Sequence, residues 1–210
     1  MGLKNSNKKS ELTSLERKVI NKNCPNCIRM KECNPVFSMT EADLNKKIMF
    51  IAEAPGRLGA EISRVPMCGD QSGENFEELI SSINLTREDF YITNSVLCLP
   101  LNNEGNNDTP KDNEIKNCSY FLSEQIELIK PEIIITLGAK ALKALNYIRN
   151  HRFALNNDVA TLHLWNGYYI FPLFHTSPKV IRIHRDMDLQ LDDYQILKEW
   201  LEQNNHLLNK

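Results

Sequence analysis

Four of the six cysteines stand in two separate groups, and this spacing constrains the fold more than any other feature of the chain. Cys24 and Cys27 form a Cys-Pro-Asn-Cys pair, whereas Cys98 and Cys118 follow only after a long intervening segment. Cysteines so distant in sequence can share one metal centre only if the fold brings them together. The spacing therefore predicts a globular protein whose N-terminal segment is tied to its body by a metal.

The residue types alone do not identify the metal, because cysteine thiolates can ligate either zinc or an iron–sulfur cluster. Six cysteines in a chain without a secretory signal favour metal ligation over disulfides. Cys33 and Cys68 are the two remaining thiols. We expect Cys33 to be half-buried, or alternatively to replace one of the four ligands, and Cys68 to be a small packing residue.

The composition of the chain predicts one domain of ordinary size. Its 210 residues are 41% hydrophobic and 25% charged, which suffices for one core. We expect a disordered tail at residues 1–10 and a single domain over residues 11–210. With a net charge of −2, any DNA-binding surface must be a local basic face. A polar N-terminus and the lack of a long apolar run predict a cytoplasmic protein without a membrane span. We also expect the protein to be monomeric.

Short apolar runs alternate with amphipathic stretches along the chain. The runs at residues 47–52, 90–96, 132–137 and 168–174 predict strands, and the intervening stretches predict helices. One helix is expected to start with Thr109 as its N-cap and Pro110 as its first residue. This order predicts an α/β fold with three α/β/α layers and a central, mainly parallel four-stranded sheet.

Three polar turns lie at or near the ends of predicted strands, at Glu53, Asn94–Ser95 and His175. Ligands of parallel sheets bind beyond the carboxyl ends of the strands. We therefore expect the three side chains to converge on one site.

The motifs that contain these turns resemble the uracil-DNA glycosylase superfamily, most closely its family 4 type with an iron–sulfur cluster. The family's GEAPG motif is similar to AEAPG at residues 52–56, and its ITNVVKCRPP motif to ITNSVLCLP at residues 92–100. Its PFVG and H-P-S motifs are similar to PMCG at residues 66–69 and HTSP at residues 175–178. The resemblance spans residues 24–202 in the family's order.

The resemblance implies a DNA-repair hydrolase that removes uracil, or another deaminated base, flipped out of DNA. Breaking the N-glycosidic bond creates positive charge on the sugar and leaves the base as an anion. Glu53 is expected to orient the water and favour the sugar cation, and His175 to donate a hydrogen bond to the anion. The Asn94 amide suits the polar edge of uracil, and Met67 can lie against the face of the base.

The resemblance also implies DNA contacts and a [4Fe–4S] cluster rather than zinc. The glycine turns at Gly56 and Gly69 allow the backbone to approach a base or phosphate closely. The expected DNA-contacting side chains are Ser72, Ser177, Lys179 and Arg182, with Arg185 in the same basic segment. The expected cluster ligands are Cys24, Cys27, Cys98 and Cys118.

The chain departs from the family at several positions. Met67 replaces an aromatic residue that stacks on the base, Thr176 replaces a proline, and Ala52 replaces a glycine. The acidic pair after the first motif is missing. Two further hypotheses follow: a superfamily member that binds modified or single-stranded DNA without cutting it, and a zinc-stabilised α/β protein with an unrelated nucleotide ligand.

Overall fold

The computed structural model describes residues 2–19, 27–30, 34–37 and 44–208. These residues form five strands, eight α-helices and two short 3₁₀ helices. In chain order the strands and α-helices are α1 (Gly2–Lys18), β1 (Ile48–Ala52), α2 (Ala60–Ser63), α3 (Gln71–Ser82), β2 (Phe90–Asn94), α4 (Asp112–Ile129), β3 (Ile133–Leu137), α5 (Ala139–Ile148), α6 (Leu155–Asp158), β4 (His163–Trp165), β5 (Tyr168–Leu173), α7 (Pro178–Ile183) and α8 (Met187–Gln203); the 3₁₀ helices are Ile28–Met30 and Asn205–Leu207.

One sheet with the strand order β2-β1-β3-β5-β4 forms the centre of the fold. The first four of these strands are parallel, which confirms the predicted α/β class and the mainly parallel sheet. The sheet has one strand more than predicted, because β4 pairs antiparallel with β5 at the edge. A two-residue turn joins them at Asn166 and Gly167, which both have positive φ. Asn-Gly is the sequence pair that such hairpin turns favour.

The side chains of each central strand alternate between two apolar layers, because successive residues of a strand point to opposite faces. On one face, Met49 and Ile51 of β1 pack with the buried sides of α1, α4 and α5. On the other face, Ile48 and Phe50 pack with α3 and α8. This arrangement confirms the three predicted layers.

The N-terminal residues differ from the prediction, since residues 2–10 belong to α1 rather than to a disordered tail. Leu12 and Leu15 are buried in the core of the domain. The Lys8 ammonium donates hydrogen bonds to the Asn45 side chain at 2.9 Å and to the Leu44 carbonyl at 3.3 Å. These contacts tie α1 to the body of the domain.

Helix α4 also starts later than predicted. Lys111 occupies the N-cap position, so Thr109 and Pro110 precede the helix. The Glu114 carboxylate accepts a hydrogen bond from the Lys111 backbone N–H at 2.7 Å, which satisfies one of the donors that a helix start leaves open. None of the helices in the described ranges is long and apolar enough to cross a bilayer.

Three edge-to-face phenylalanine rings fix α3 on the sheet. Phe50 of β1 lies 5.3 Å from the Phe76 ring and 4.6 Å from the Phe90 ring, measured between centroids. We predict that Phe50→Ala lowers the free energy of unfolding by about 3–5 kcal/mol, because it opens a cavity in a packed layer. Leu164→Ala, at a side chain that is 70% exposed, should change it by less than about 0.5 kcal/mol. Urea unfolding of both variants tests this; equal effects would contradict it.

Candidate functional site

A pocket of about 490 Å³ opens at the carboxyl edge of the parallel strands. This volume lies in the range of small-molecule sites. Four chain segments form its walls: the turn after β1, the loop before α3, the loop before α4, and the turn between β5 and α7. The lining residues are Glu53, Ala54, Pro55, Gly56, Ala60, Met67, Cys68, Asp70, Ser72, Asn107, Asp108, Thr109, His175, Ser177, Lys179, Val180 and His184.

Glu53 follows the last residue of β1 and is held by its own backbone. Its carbonyl accepts hydrogen bonds from the Ser95 hydroxyl at 2.6 Å and from the Val96 N–H at 3.1 Å. Burial raises the pKa of the Glu53 carboxyl above its ordinary value, and the positive charge of Lys140 partly offsets this. The site therefore holds a carboxyl group with weakened hydration, which suits proton transfer or charge stabilisation.

His175 stands in the turn after β5, and its ring has a defined tautomer. Nδ1 accepts a hydrogen bond from the Ser177 backbone N–H at 3.1 Å, so the proton of the neutral ring is on Nε2. Burial lowers the pKa of His175 to about 4, against a smaller opposing effect of the Asp70 carboxylate. At neutral pH the pocket therefore contains an uncharged imidazole with a hydrogen-bond donor at Nε2.

Gly138 brings Glu53 and His175 to the same part of the pocket. A Cβ atom at this position would lie 3.3 Å from His175 Cβ and 4.0 Å from Glu53 Oε2. The backbone of Gly138 has φ 96° and ψ 165°, a region that is essentially restricted to glycine. Glycine is therefore favoured at position 138, because any side chain there would be strained and would crowd the imidazole.

Asn94 ends β2 and lies beside Ala52 of β1 in the sheet register. Its side chain is 1% exposed and does not line the pocket. The Nδ2 atom has no hydrogen-bond partner among the described residues. An unsatisfied buried amide costs free energy. Glu53 and His175 thus line one pocket as predicted, whereas Asn94 lies behind its wall.

Met67 lines the pocket with an unusual backbone conformation. Its φ is 54°, in the left-handed region that residues with a side chain rarely adopt. The side chain is only 7% exposed. The structure therefore places a buried thioether in the wall of the pocket, at the sequence position expected to contact a base.

The two glycine turns have different environments. Gly56 lines the pocket, and a Cβ there would meet Asp70 Oδ2 at 2.7 Å. Gly69 is not a lining residue; a Cβ there would lie 3.4 Å from the Gly59 backbone. Close approach at Gly69 is thus between two parts of the chain itself.

Asp70 and Asn107 are pocket residues that the sequence reasoning missed. Asp70 Oδ1 caps α3 by accepting the Gly73 N–H at 3.0 Å. Asn107 Oδ1 accepts the Arg57 N–H at 2.9 Å. An Asp before a predicted helix is an N-cap signal that indicates Asp70, whereas nothing in the Asn-rich loop distinguishes Asn107.

Of the predicted DNA-contacting residues, Ser72, Ser177 and Lys179 line the pocket, whereas Arg182 is exposed on α7 outside it. Ser177 also caps α7, since its hydroxyl accepts the Val180 N–H at 3.4 Å.

Arg185, expected to contact DNA with the rest of the basic segment, has a structural role. Its guanidinium forms two hydrogen bonds of 2.5 and 2.6 Å with the buried Asp193 carboxylate and lies over the Phe174 ring.

Thr176 shows what replaces the proline of the family motif. It is fully buried, and its hydroxyl donates a hydrogen bond to the Ser72 carbonyl at 2.7 Å. The Thr176 carbonyl in turn accepts one from the Asn75 side chain at 2.8 Å. The substitution thus fastens the His175 turn to the first turns of α3.

Three of the four expected ligand thiols lie in one region of the fold. The Asn117 side-chain amide donates to Cys27 Sγ at 3.7 Å, and the Leu97 N–H donates to Cys118 Sγ at 3.5 Å. Cys98 follows Leu97 directly, and all three thiols pack against the same apolar cluster. Cys24 and Cys33 lie outside the described residues. Within the described ranges, no three His, Cys, Asp or Glu side chains form a group able to hold a metal ion.

Arg29 connects the thiol region to the wall of the pocket. Its guanidinium donates to both Glu114 oxygens at 2.6 and 2.7 Å and to Asp108 at 2.5 Å. It also donates to the carbonyls of Leu101 and Thr109. Because Asp108 and Thr109 line the pocket, the segment after Cys27 supports one of its walls.

Comparisons of this sequence with a family model and with known proteins point to the same family. The sequence model of the uracil-DNA glycosylase superfamily matches residues 39–192. The chain is 38% identical over 143 residues to the type-4 uracil-DNA glycosylase of Saccharolobus solfataricus, an alignment that covers 65% of this chain and 63% of that protein. It is 31% identical over 186 residues to the type-4 uracil-DNA glycosylase of Thermotoga maritima, covering 86% of this chain and 91% of that protein.

The low pKa of His175 predicts a pH-dependent stability. The unfolded chain takes up a proton as the pH falls through about 6.5, whereas the folded imidazole stays neutral until about 4. The unfolding free energy should therefore decrease as the pH falls through this window. His175→Gln should show a smaller decrease than the wild type in urea unfolding at pH 7 and pH 5. His184→Gln, which changes an exposed histidine, is the control; an identical pH dependence in all three proteins would contradict the prediction.

Proposed function

The chain belongs to the uracil-DNA glycosylase superfamily, and we propose that it hydrolyses the N-glycosidic bond of uracil, or of another deaminated base, flipped out of DNA. The observation that carries this proposal is the placement of Glu53, Met67 and His175 in one pocket. These residues come from three distant segments of the chain. We assign a separate role to each of them.

Glu53 is proposed to act on the sugar side of the bond. As the bond breaks, positive charge develops on the sugar, and a nearby carboxylate stabilises it. The same carboxylate can orient the attacking water and accept its proton. A carboxyl whose pKa is raised by burial is a better proton acceptor than an exposed one.

His175 is proposed to act on the leaving base. Its Nε2–H donates a hydrogen bond to the oxygen on which negative charge develops. A neutral imidazole is suited to this role, because its Nε2 carries the proton needed for the hydrogen bond. The Ser177 N–H supports the role by fixing the tautomer.

Base recognition is assigned to Asn94, Met67 and Gly56. The Asn94 amide can offer a donor and an acceptor to the polar edge of uracil, and its Nδ2 atom has no partner among the described residues. Met67 offers an adaptable apolar contact in place of a flat ring. Gly56, in the wall of the pocket, leaves room for its backbone to approach the base.

DNA binding is assigned to a small local surface, consistent with a net charge of −2. Lys179, Ser72 and Ser177 line the pocket, and Arg182 is exposed one helical turn beyond Lys179. Phosphate contacts of this kind hold the strand in place without reading its sequence.

Single-turnover excision on oligonucleotides that contain uracil, hypoxanthine or xanthine tests the proposal. Glu53→Gln should slow excision by about a hundredfold or more, since it removes the proton acceptor. His175→Ala should slow it by about 10²–10³-fold, since it removes the donor to the anion. Both variants should bind the oligonucleotide almost as tightly as the wild type.

Glu61→Gln and His206→Ala are matched controls outside the pocket, and they should retain wild-type rates. If the wild type binds DNA tightly but excises none of the three bases, the protein recognises DNA without cutting it. If the two pocket variants lose binding and excision equally, their assigned roles are wrong.

We further propose that Cys24, Cys27, Cys98 and Cys118 hold a [4Fe–4S] cluster. Thiolate ligands that accept backbone and amide N–H groups, as Cys27 and Cys118 do, suit such clusters. When bound, the cluster supplies a cross-link between the N-terminal segment and α4. Because Arg29 lies between Cys27 and the loop at Asp108, this cross-link would also stabilise the pocket wall.

Anaerobically purified protein tests the metal centre. It should be brown, with broad absorbance near about 400 nm, because iron–sulfur clusters are coloured and zinc is not. Cys98→Ala and Cys118→Ala should lose colour and iron, whereas Cys68→Ala, at the pocket wall, should keep both. Colourless wild-type protein with bound zinc would contradict the cluster.

A further inference from the structure

The backbone at Met67 has a conformation that the local sequence does not favour. A residue with a Cβ at φ 54° is strained by about 1–2 kcal/mol relative to ordinary conformations. Such strain persists only where the surroundings enforce it, and it concentrates at functional sites. Contacts that hold the Met67 backbone in this conformation can therefore affect the pocket even if they do not line it.

Arg87 provides the main contact. It lies between α3 and β2 and is not a lining residue of the pocket. One terminal nitrogen of its guanidinium donates to the Pro66 carbonyl at 2.8 Å, and the other donates to the Met67 carbonyl. Both peptide groups beside the Met67 Cα are thus restrained by one planar group.

Two further contacts hold the guanidinium itself. Its Nε donates to the Glu77 carboxylate at 2.5 Å, and its Cζ lies 5.6 Å from the centroid of the Phe76 ring. Every nitrogen of the side chain is engaged. A lysine ammonium is a point charge and cannot reproduce this fork.

Gly73 packs against the same peptide group. A Cβ at Gly73 would lie 2.8 Å from the Met67 carbonyl oxygen and 3.0 Å from Cys68 Cα. The first turn of α3 therefore approaches the Met67 peptide as closely as glycine allows. Arg87 and Gly73 together leave this peptide little freedom to rotate.

We propose that Arg87 is a positioning residue that holds the Met67 side chain in the pocket, where it contacts the flipped base. This inference rests on the proposed function. It makes Arg87 necessary for base binding although it touches neither base nor DNA. A methionine side chain is more flexible than an aromatic ring. A fixed backbone at Met67 therefore helps to keep the thioether in place.

A double-mutant cycle with Met67→Ala tests the inference on the most rapidly excised base. Arg87→Lys should reduce kcat/KM by roughly tenfold, the effect of losing one charge-assisted hydrogen bond. The loss should fall on KM more than on kcat, because Met67 contacts the base and not the reacting bond. In the Met67→Ala background, Arg87→Lys should cost less than about twofold, since its effect acts through the missing side chain.

Glu77→Gln is the matched control, because it keeps an acceptor for Nε and leaves both carbonyl contacts in place. It should retain kcat/KM within about twofold of the wild type. A full tenfold loss for Arg87→Lys in the Met67→Ala background would show that Arg87 acts through general packing. Unchanged kcat/KM for Arg87→Lys alone would refute the inference as well.

Carbon-13 labelling of the methionine methyl groups gives a readout independent of catalysis. The Met67 signal, assigned by its absence in Met67→Leu, should shift and broaden in Arg87→Lys but not in Glu77→Gln. An unchanged Met67 signal in Arg87→Lys would show that Arg87 does not position Met67. A wild type that excises no base would refute the proposed function, whereas this spectrum would still decide whether Arg87 holds Met67.

Discussion

The parallel pairing of β1 with both β2 and β3 is the constraint on which the site depends. The register sets Ala52 beside Asn94 and Ile51 beside Thr136, and β5 continues the same edge beyond β3. The residues that follow these strands therefore emerge side by side, however far apart they lie in sequence. Two packed apolar layers, one on each face, hold the register, because a shift by one residue would turn every core side chain towards the wrong layer.

Burial at this edge sets the chemistry of the two central groups. It raises the pKa of Glu53 and lowers that of His175, so both are biased towards their uncharged forms. Fixed contacts then orient them: the Ser177 N–H selects the histidine tautomer, and Gly138 leaves the space that the pair shares. Thr176 and Arg87 extend this support to the turn after β5 and to the loop before α3. The site is thus shaped as much by backbone contacts as by the side chains that line it.

Much of this arrangement could be predicted from the sequence, because apolar periodicity and strand-end turns are local signals. The parallel strands, the layers and the placement of Glu53 and His175 in one pocket all follow from them. The β4–β5 hairpin was predictable from Asn166-Gly167 but was missed, since β4 has only three residues. The roles of Arg87, Arg185 and Asn107 were not predictable, because each depends on a partner distant in sequence or on a loop whose path no local pattern encodes. The helix at residues 2–10 likewise depends on tertiary contacts of Lys8 and Leu12.

Under the proposed function, a single extruded base is held between a carboxyl group, an amide, a thioether and a neutral imidazole that come from four separate segments. A crystal structure of the Glu53→Gln variant with a short uracil-containing single strand tests it most directly. We expect the uracil ring against Met67, its polar edge within hydrogen-bond distance of Asn94 and His175, and its sugar facing residue 53. Uracil bound elsewhere on the protein, or bound in this pocket without contact to Asn94 and His175, would contradict these assignments.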